Sequence, residues 1–220
     1  MAKERYLLLV RHGETVGNLE QIAHGQTESP LNDRGIQQAT MTAEMLKTWQ
    51  RPYDLIYASP LSRAHHTGKI FAEHLQLPLH TDEDLKEGSL GDWEKVTYEE
   101  LNELGFAQKS IRNDDFDGHG GETPNQLGQR LVNAVEAIMK KHPVHNIIVV
   151  SHGAAISHLL ARVLDTKPAF GHQYLMHNAA VTEISFTHGC KPEVTTFNYH
   201  DHLPAELIAD PMRRDQNVGE

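Results

Sequence analysis

The sequence predicts an α/β fold, a three-layer α/β/α sandwich around a mostly parallel central sheet with one antiparallel edge. Three observations carry this. Short runs at Tyr6–Val10, Leu55–Ala58 and Ile147–Val150 are leucine-rich or β-branched and apolar on both faces, as in strands buried inside a parallel sheet. Strand and helix patterns alternate along most of the chain. Two of the runs end in His-Gly steps, Arg11-His12-Gly13 and Ser151-His152-Gly153. Both histidines then fall at the carboxyl edge of the sheet, where open α/β folds place their ligands.

After the strand over 6–10 comes a loop, then a helix over about 33–49 with Asn32 as its cap and Ile36, Ala39, Ala43 and Leu46 on one face. A strand over 54–59 leads into a helix over about 61–75, with Pro60 suited to its first position and Arg63 in its first turn. Leu79 to Leu85 reads as a short strand. The segment 90–122 is irregular apart from a helix over about 97–105, and its glycine-rich part, Gly118-His119-Gly120-Gly121, has the character of a mobile lid. Thr123-Pro124-Asn125-Gln126 is a capping box with proline at the first helical position. The helix it opens runs to about His142, with Leu127, Leu131, Val135 and Ile138 inward and Lys140 and Lys141 at its C-terminus, where the dipole favours cations. A strand over 146–151 and a helix over 154–164 form another unit. Ala180–Thr187 and Val194–Tyr199, split by His188-Gly189-Cys190-Lys191-Pro192, form a hairpin or two edge strands. No linker divides the chain, so residues 1–220 read as one domain, with a polar tail from about Pro204 prone to partial disorder.

The formal net charge is −10, with no basic stripe of the kind nucleic-acid binders carry. Any anion site must be a local basic pocket in an acidic protein. No run reaches the ~18 to 20 apolar residues of a membrane helix. The five-residue apolar run near the N-terminus is too short for a signal-peptide core, so a cytoplasmic protein is expected. A single cysteine, Cys190, excludes an intramolecular disulfide and any cysteine-based zinc cluster. The sixteen histidines, including His65-His66 and His200-Asp201-His202, match no metal-ligand spacing.

Three distant segments thus deliver His12 and His152 with Arg11 and Arg63 to one edge, a combination suited to covalent chemistry on a phosphate. Neutral imidazole is a competent nucleophile when one ring nitrogen is held as a donor. Gly13 lets substrate approach the His12 ring. The planar guanidinium fork meets two phosphate oxygens at once, and the helix start at Arg63 offers a second anion-binding element. Glu87, in a glycine-rich turn with Trp93, is the candidate proton donor, with Glu83, Asp84 and Glu94 as rivals.

Arg11-His12-Gly13-Glu14-Thr15 with Asn18 resembles the signature of the histidine phosphatase superfamily, its phosphoglycerate mutase-like branch in particular. Gly25-Gln26 and Ser29–Ala39 look like the loop and helix after that signature. Ser59-Pro60-Leu61-Ser62-Arg63-Ala64 with Thr67 is similar to the second arginine motif, Leu85–Glu94 to the acid-bearing segment, Ser151-His152-Gly153 to the second histidine motif, and His177–Thr182 to the last inner strand. The resemblance implies that His12 forms a phosphohistidine. Arg11, Arg63 and His152 would complete the phosphate pocket, Asn18 would add a hydrogen bond, and Thr15 and Gln26 would line the entrance. Glu87 would protonate the leaving oxygen and then activate water. No metal or other cofactor is expected. Lys95 stands where the family often has glycine, and Ala154-Ala155 where a second glycine or a polar residue is common.

Mutases of this family carry a longer, basic insertion. Here the corresponding region has only Lys95, Lys109 and Arg112 against Asp114, Asp115 and Asp117, and Gly121-Glu122-Thr123 resembles the phosphatase members. Hydrolysis of small phosphomonoesters is the favoured reading, phosphoglycerate mutation the alternative, and a non-catalytic phosphate-binding module the third. The physiological substrate and the oligomeric state are left open.

Overall fold

Leu7, Leu8, Leu9 and Val10 are wholly buried, and this places their strand at the heart of the sheet. Burying four such side chains contributes roughly 6–12 kcal/mol, more than the roughly 1–3 kcal/mol that burying one polar group at the strand's end costs. The computed structural model describes residues 4–109, 113–187 and 189–208. In chain order the elements are β1 (Arg5–Arg11), α1 (Val16–Leu19), α2 (Asp33–Leu46), β2 (Leu55–Ala58), α3 (Ser62–Leu75), β3 (Leu79–Thr81), α4 (Tyr98–Glu103), α5 (Phe106–Lys109), α6 (Pro124–Lys141), β4 (Ile147–Ser151), α7 (Gly153–Val163), β5 (Val181–Phe186) and β6 (Glu193–Tyr199).

The six strands lie in the order β3-β2-β4-β1-β5-β6. β1, β2, β3 and β4 are mutually parallel, and β5 runs against both β1 and β6. The predicted mostly parallel sheet with an antiparallel edge is therefore present, and the last two strands pair directly. Alternate residues of each inner strand feed two cores. Leu7, Leu9, Tyr57, Ile147 and Val149 pack with α6 and α7 on one face. Leu8, Val10, Ile56, Ala58, Ile148 and Val150 pack with α2 and α3 on the other. Register carries the strand ends to one place, because Arg11 pairs with Ser151 and Ala58 with Val150.

Several expectations are corrected. Ile36 is 37% exposed. Gly35 and Gln38 take the inward positions instead, Gln38 receiving Glu14 N (2.8 Å) and donating to Leu207 O (2.6 Å). Pro60 precedes α3 rather than opening it; Leu61 is the cap. Asp82 accepts the Asp84 amide and turns the chain into a tight 3-10 turn, so β3 stops at Thr81. The helix expected over 97–105 is present as α4, Gly105 follows it at φ +82°, and a further short helix, α5, comes after it. The loop after β1 contains α1, capped reciprocally by Thr15 and Asn18. Part of the lid is ordered by a small cluster of Ala23, Trp93 and Leu101 with Phe106 and Phe116. Near the tail, Leu207 is buried and Arg34 donates to Glu206 O. Arg112, His188 and the tail beyond Ile208 lie outside the described residues.

Candidate active site

At the carboxyl ends of β1, β2 and β4 opens a cavity of about 140 Å³, lined among others by Arg11, His12, Thr15, Asn18, Arg63 and Glu87. β1 delivers Arg11 and His12, and the His12 amide donates to Ser151 O (3.0 Å). His12 is 4% exposed, and its Nδ1 sits 2.7 Å from Gly13 O. A carbonyl only accepts, so Nδ1 carries the proton and Nε2 the lone pair. Burial, then the charges of Arg63 and Arg11, hold the His12 pKa well below its ordinary value. The ring is neutral near pH 7.

Surrounding groups fix the His12 loop. Asn178 Nδ2 donates to His12 O (3.0 Å), and Gly13 N to Thr67 Oγ1 (3.1 Å). Gly13 has a reason other than substrate access. A Cβ there would meet Gly35 O at 2.3 Å, so the glycine admits the backbone of α2. Glu14 is buried and receives Asn32 Nδ2 (2.7 Å), tying the signature to the cap of α2.

His152 is wholly buried beneath His12, ring centroids 5.2 Å apart and edge to face. Its Nδ1 accepts from Arg63 Nε (3.1 Å), which leaves Nε2–H to donate to Ser59 Oγ (2.8 Å). Burial, then Arg63, His12 and Arg11, hold its pKa well below the usual value too. Both ring nitrogens are thus committed to protein, and His152 does not line the cavity. Arg63 also donates to Thr27 O (2.9 Å) and Gly25 O (2.7 Å). Arg11 donates to Met176 O (2.5 Å). The expected anion site at the start of α3 is taken, since Ser62 N donates to Glu28 Oε2 (3.0 Å).

Glu87 separates from its rivals. Its carboxylate accepts Ala154 N (3.0 Å) and Ala155 N (2.8 Å) at the start of α7, as well as Gly88 N (2.9 Å). Glu83 instead pairs with Lys86 (2.5 Å), Asp84 is exposed, and Glu94 receives Gln26 N (3.0 Å) and Leu90 N (3.2 Å). Ala154 and Ala155 serve through their amides, so a glycine or polar residue is not needed there. Asn18 Oδ1 is used by Thr15 N (3.2 Å) and Asn178 Nδ2 (3.3 Å), which leaves its amide nitrogen as the donor for a ligand. Thr15 lines the cavity. Gln26 lies behind it, its Nε2 donating to Glu87 O (3.0 Å) and Glu122 Oε2 (3.4 Å).

Away from the arginines the lining is largely apolar, with Ile22, Ala23, Leu90, Leu101 and Phe106 beside Tyr98 and His119. Arg11 and Arg63 are the only Lys or Arg side chains among the described lining residues. Asp114, Asp115 and Asp117 are not in the lining, contrary to the picture of an acidic lid over the site. Asp115 receives Asn125 Nδ2 (3.0 Å) at the surface. Among the described residues no three His, Cys, Asp or Glu side chains come together as a metal site, and no helix is long and apolar enough to cross a membrane.

Sequence reasoning gave no role to Ser59, Thr67 or Asn178, although all lie in segments singled out there. It gave none to Arg130, whose signal was a charged residue beside the inward stripe of Leu127 and Leu131.

The profile of the histidine phosphatase superfamily (branch 1) matches residues 7–200. An uncharacterized phosphatase, PhoE, of Bacillus subtilis is 35% identical over 195 residues, covering 89% of this chain and 95% of its own. A metal-independent phosphoserine phosphatase of Arabidopsis thaliana is 36% identical over 173 residues, 74% of this chain and 70% of its own. The crystal structure of a phosphoserine phosphatase mutant from Entamoeba histolytica, in complex with phosphoserine, superposes with TM-score 0.81 at 32% identity, covering 91% of this chain and 100% of its own. The chain belongs to the histidine phosphatase superfamily and is a phosphatase of that family.

Proposed function

We propose that the protein hydrolyses small phosphomonoesters through a phosphohistidine on His12, without a metal ion. The observation that carries this reading is His12 itself: neutral, its Nδ1 proton held by Gly13 O, its Nε2 lone pair available beside two guanidiniums. Nε2 attacks phosphorus as the bond to the leaving oxygen breaks, and Glu87 delivers the proton that oxygen needs. Arg11, Arg63 and Asn18 hold the three transferring oxygens, stabilising charge where it develops. Water then attacks the phosphohistidine, losing its proton to Glu87, and phosphate leaves. His152 acts on the phosphate through Arg63, which it orients with help from Ser59. The two arginines supply the positive charge that a metal supplies elsewhere, and the name of the Arabidopsis relative agrees.

The largely apolar lining away from the arginines favours hydrolysis over phosphoglycerate mutation. A mutase must grip a second anionic group, and the described lining offers no cation beyond the phosphate end. Phosphoserine belongs in the substrate panel because the Entamoeba structure holds it as ligand.

The test is phosphate release from a panel of phosphomonoesters, with 3-phosphoglycerate plus a bisphosphoglycerate primer assayed for isomerisation. We expect release without isomerisation, unchanged by EDTA. Isomerisation outrunning release would establish the mutase, a loss restored by added metal would overturn the metal-free mechanism, and neither activity would favour the binding module.

A further inference from the structure

The segment that carries Glu87 has little regular structure, yet its backbone is held at several points by one side chain. Arg130, on α6, donates from Nη1 to Asp84 O (2.8 Å) and Lys86 O (3.0 Å) and from Nη2 to Glu87 O (3.2 Å). The same guanidinium pairs with Glu122 through Nε–Oε1 (2.7 Å) and Nη2–Oε2 (2.7 Å), the two-pronged geometry that fixes orientation as well as distance. Glu122 Oε2 then receives Ser89 N (3.0 Å), two residues beyond Glu87. Gln26 adds a second donor to Glu87 O (3.0 Å). The pair is only partly exposed, at 18% and 22% of the side chains, which sets it apart from surface ion pairs of small value. Burial alone would raise the Glu122 pKa. The Arg130 hydrogen bond, the Ser89 amide and the Arg130 charge outweigh it and hold the carboxyl below its ordinary value.

We infer that Arg130, locked by Glu122, is a positioning residue for Glu87: it sets the backbone from which the Glu87 carboxyl reaches the leaving oxygen. Arg130 does not line the cavity, although its partner Glu122 does, and it reaches Glu87 through the backbone of the 84–89 segment. The inference rests on the reading of Glu87 as the proton donor. It goes further by naming the group that aims it. Misplacement of a catalytic group by about 1 Å costs on the order of 100-fold, so a clamp on four polar atoms of that segment is worth testing as catalytic geometry rather than as stability.

The experiment compares kcat/KM for an alkyl phosphate, whose alkoxide must be protonated to leave, with 4-nitrophenyl phosphate, whose phenolate leaves unaided. E87Q is the reference. We expect it to lose about 100-fold on the alkyl ester and only a few-fold on the aryl ester, within the usual range for a general acid. R130M should show the same inequality, roughly 10- to 100-fold against a few-fold, and E87Q/R130M should fall little below E87Q on the alkyl ester. R130M leaves Glu122 without its partner and so tests folding as well. R130K and E122Q are therefore measured beside it. R130K keeps the charge without the fork, and it is expected between wild type and R130M. Equal losses on both esters in R130M and E122Q, or R130K equal to wild type on both, would overturn the positioning role. A steep E87Q with a flat R130M rejects Arg130 alone. A flat E87Q rejects Glu87 as the acid, and the inference with it.

Discussion

His12 lines the cavity and His152 lies buried against it, edge to face, and burial beside Arg63 and Arg11 keeps both uncharged. The sign of the consequence follows from linkage. Below about pH 6.5 an unfolded histidine takes up a proton that these two, with folded pKa values well below that, refuse. Stability therefore falls as pH drops from about 6.5 toward the folded values, by at most ~2.7 kcal/mol per pH unit for the two together. Denaturant midpoints measured from pH 7.5 to 5.5 should decline, and the decline should be shallower in H152N. Over the same range kcat/KM, corrected for the second ionisation of the substrate near pH ~6, should show no limb at 6.5 from His12. A limb there would mean that the ring is solvated and ordinary.

At the scale of elements, the turns around the site decide geometry that helices and strands only approximate. Lys95 adopts φ +65°, the left-handed region, while its amide donates to Ala23 O (2.6 Å). This explains why glycine is common at that position in the family: it enters the left-handed region freely, and lysine does so at a cost of roughly 1–2 kcal/mol. Glycine also loses more freedom on folding, so K95G should gain about 0.5–1 kcal/mol, read as a raised denaturation midpoint with kcat within about twofold of wild type. A lower midpoint would mean that the lysine stem contributes packing that outweighs the strain. The inner strands and the residues at their ends were legible in the sequence because a run buried on both faces permits one reading, and parallel register then brings His12, Ser59 and His152 together. The inward glutamine of α2 was not, since it depends on partners far along the chain, Glu14 and Leu207. Arg130 was illegible for a stricter reason. Apart from Glu122 its acceptors are backbone carbonyls, and any sequence over 84–87 has those.

For the whole molecule, an acidic chain of net charge −10 gathers two guanidiniums at one sheet edge, and on the proposed reading this local basic pocket is what draws phosphate there. The resemblance visible in six separated stretches was specific enough to indicate the family and the edge where the signature, arginine and histidine motifs meet. It implied His152 in the phosphate pocket and Gln26 at its entrance; in the structure His152 is hydrogen-bonded to Arg63 and Gln26 to Glu87 O. On the proposed reading, selectivity rests with the lining at Ile22 and Ala23 after α1, Leu90, Leu101 of α4 and Phe106 of α5.

The central claim is a covalent phosphate on His12. The direct measurement is a rapid acid-and-base quench of the enzyme mixed with a phosphomonoester labelled in its phosphate, followed by mapping of the labelled residue. The account predicts a label stable to base and lost in acid, located at His12, formed no more slowly than turnover, and absent in H12A together with phosphate release. Turnover near wild type in H12A, or a label mapping to another residue, would contradict it.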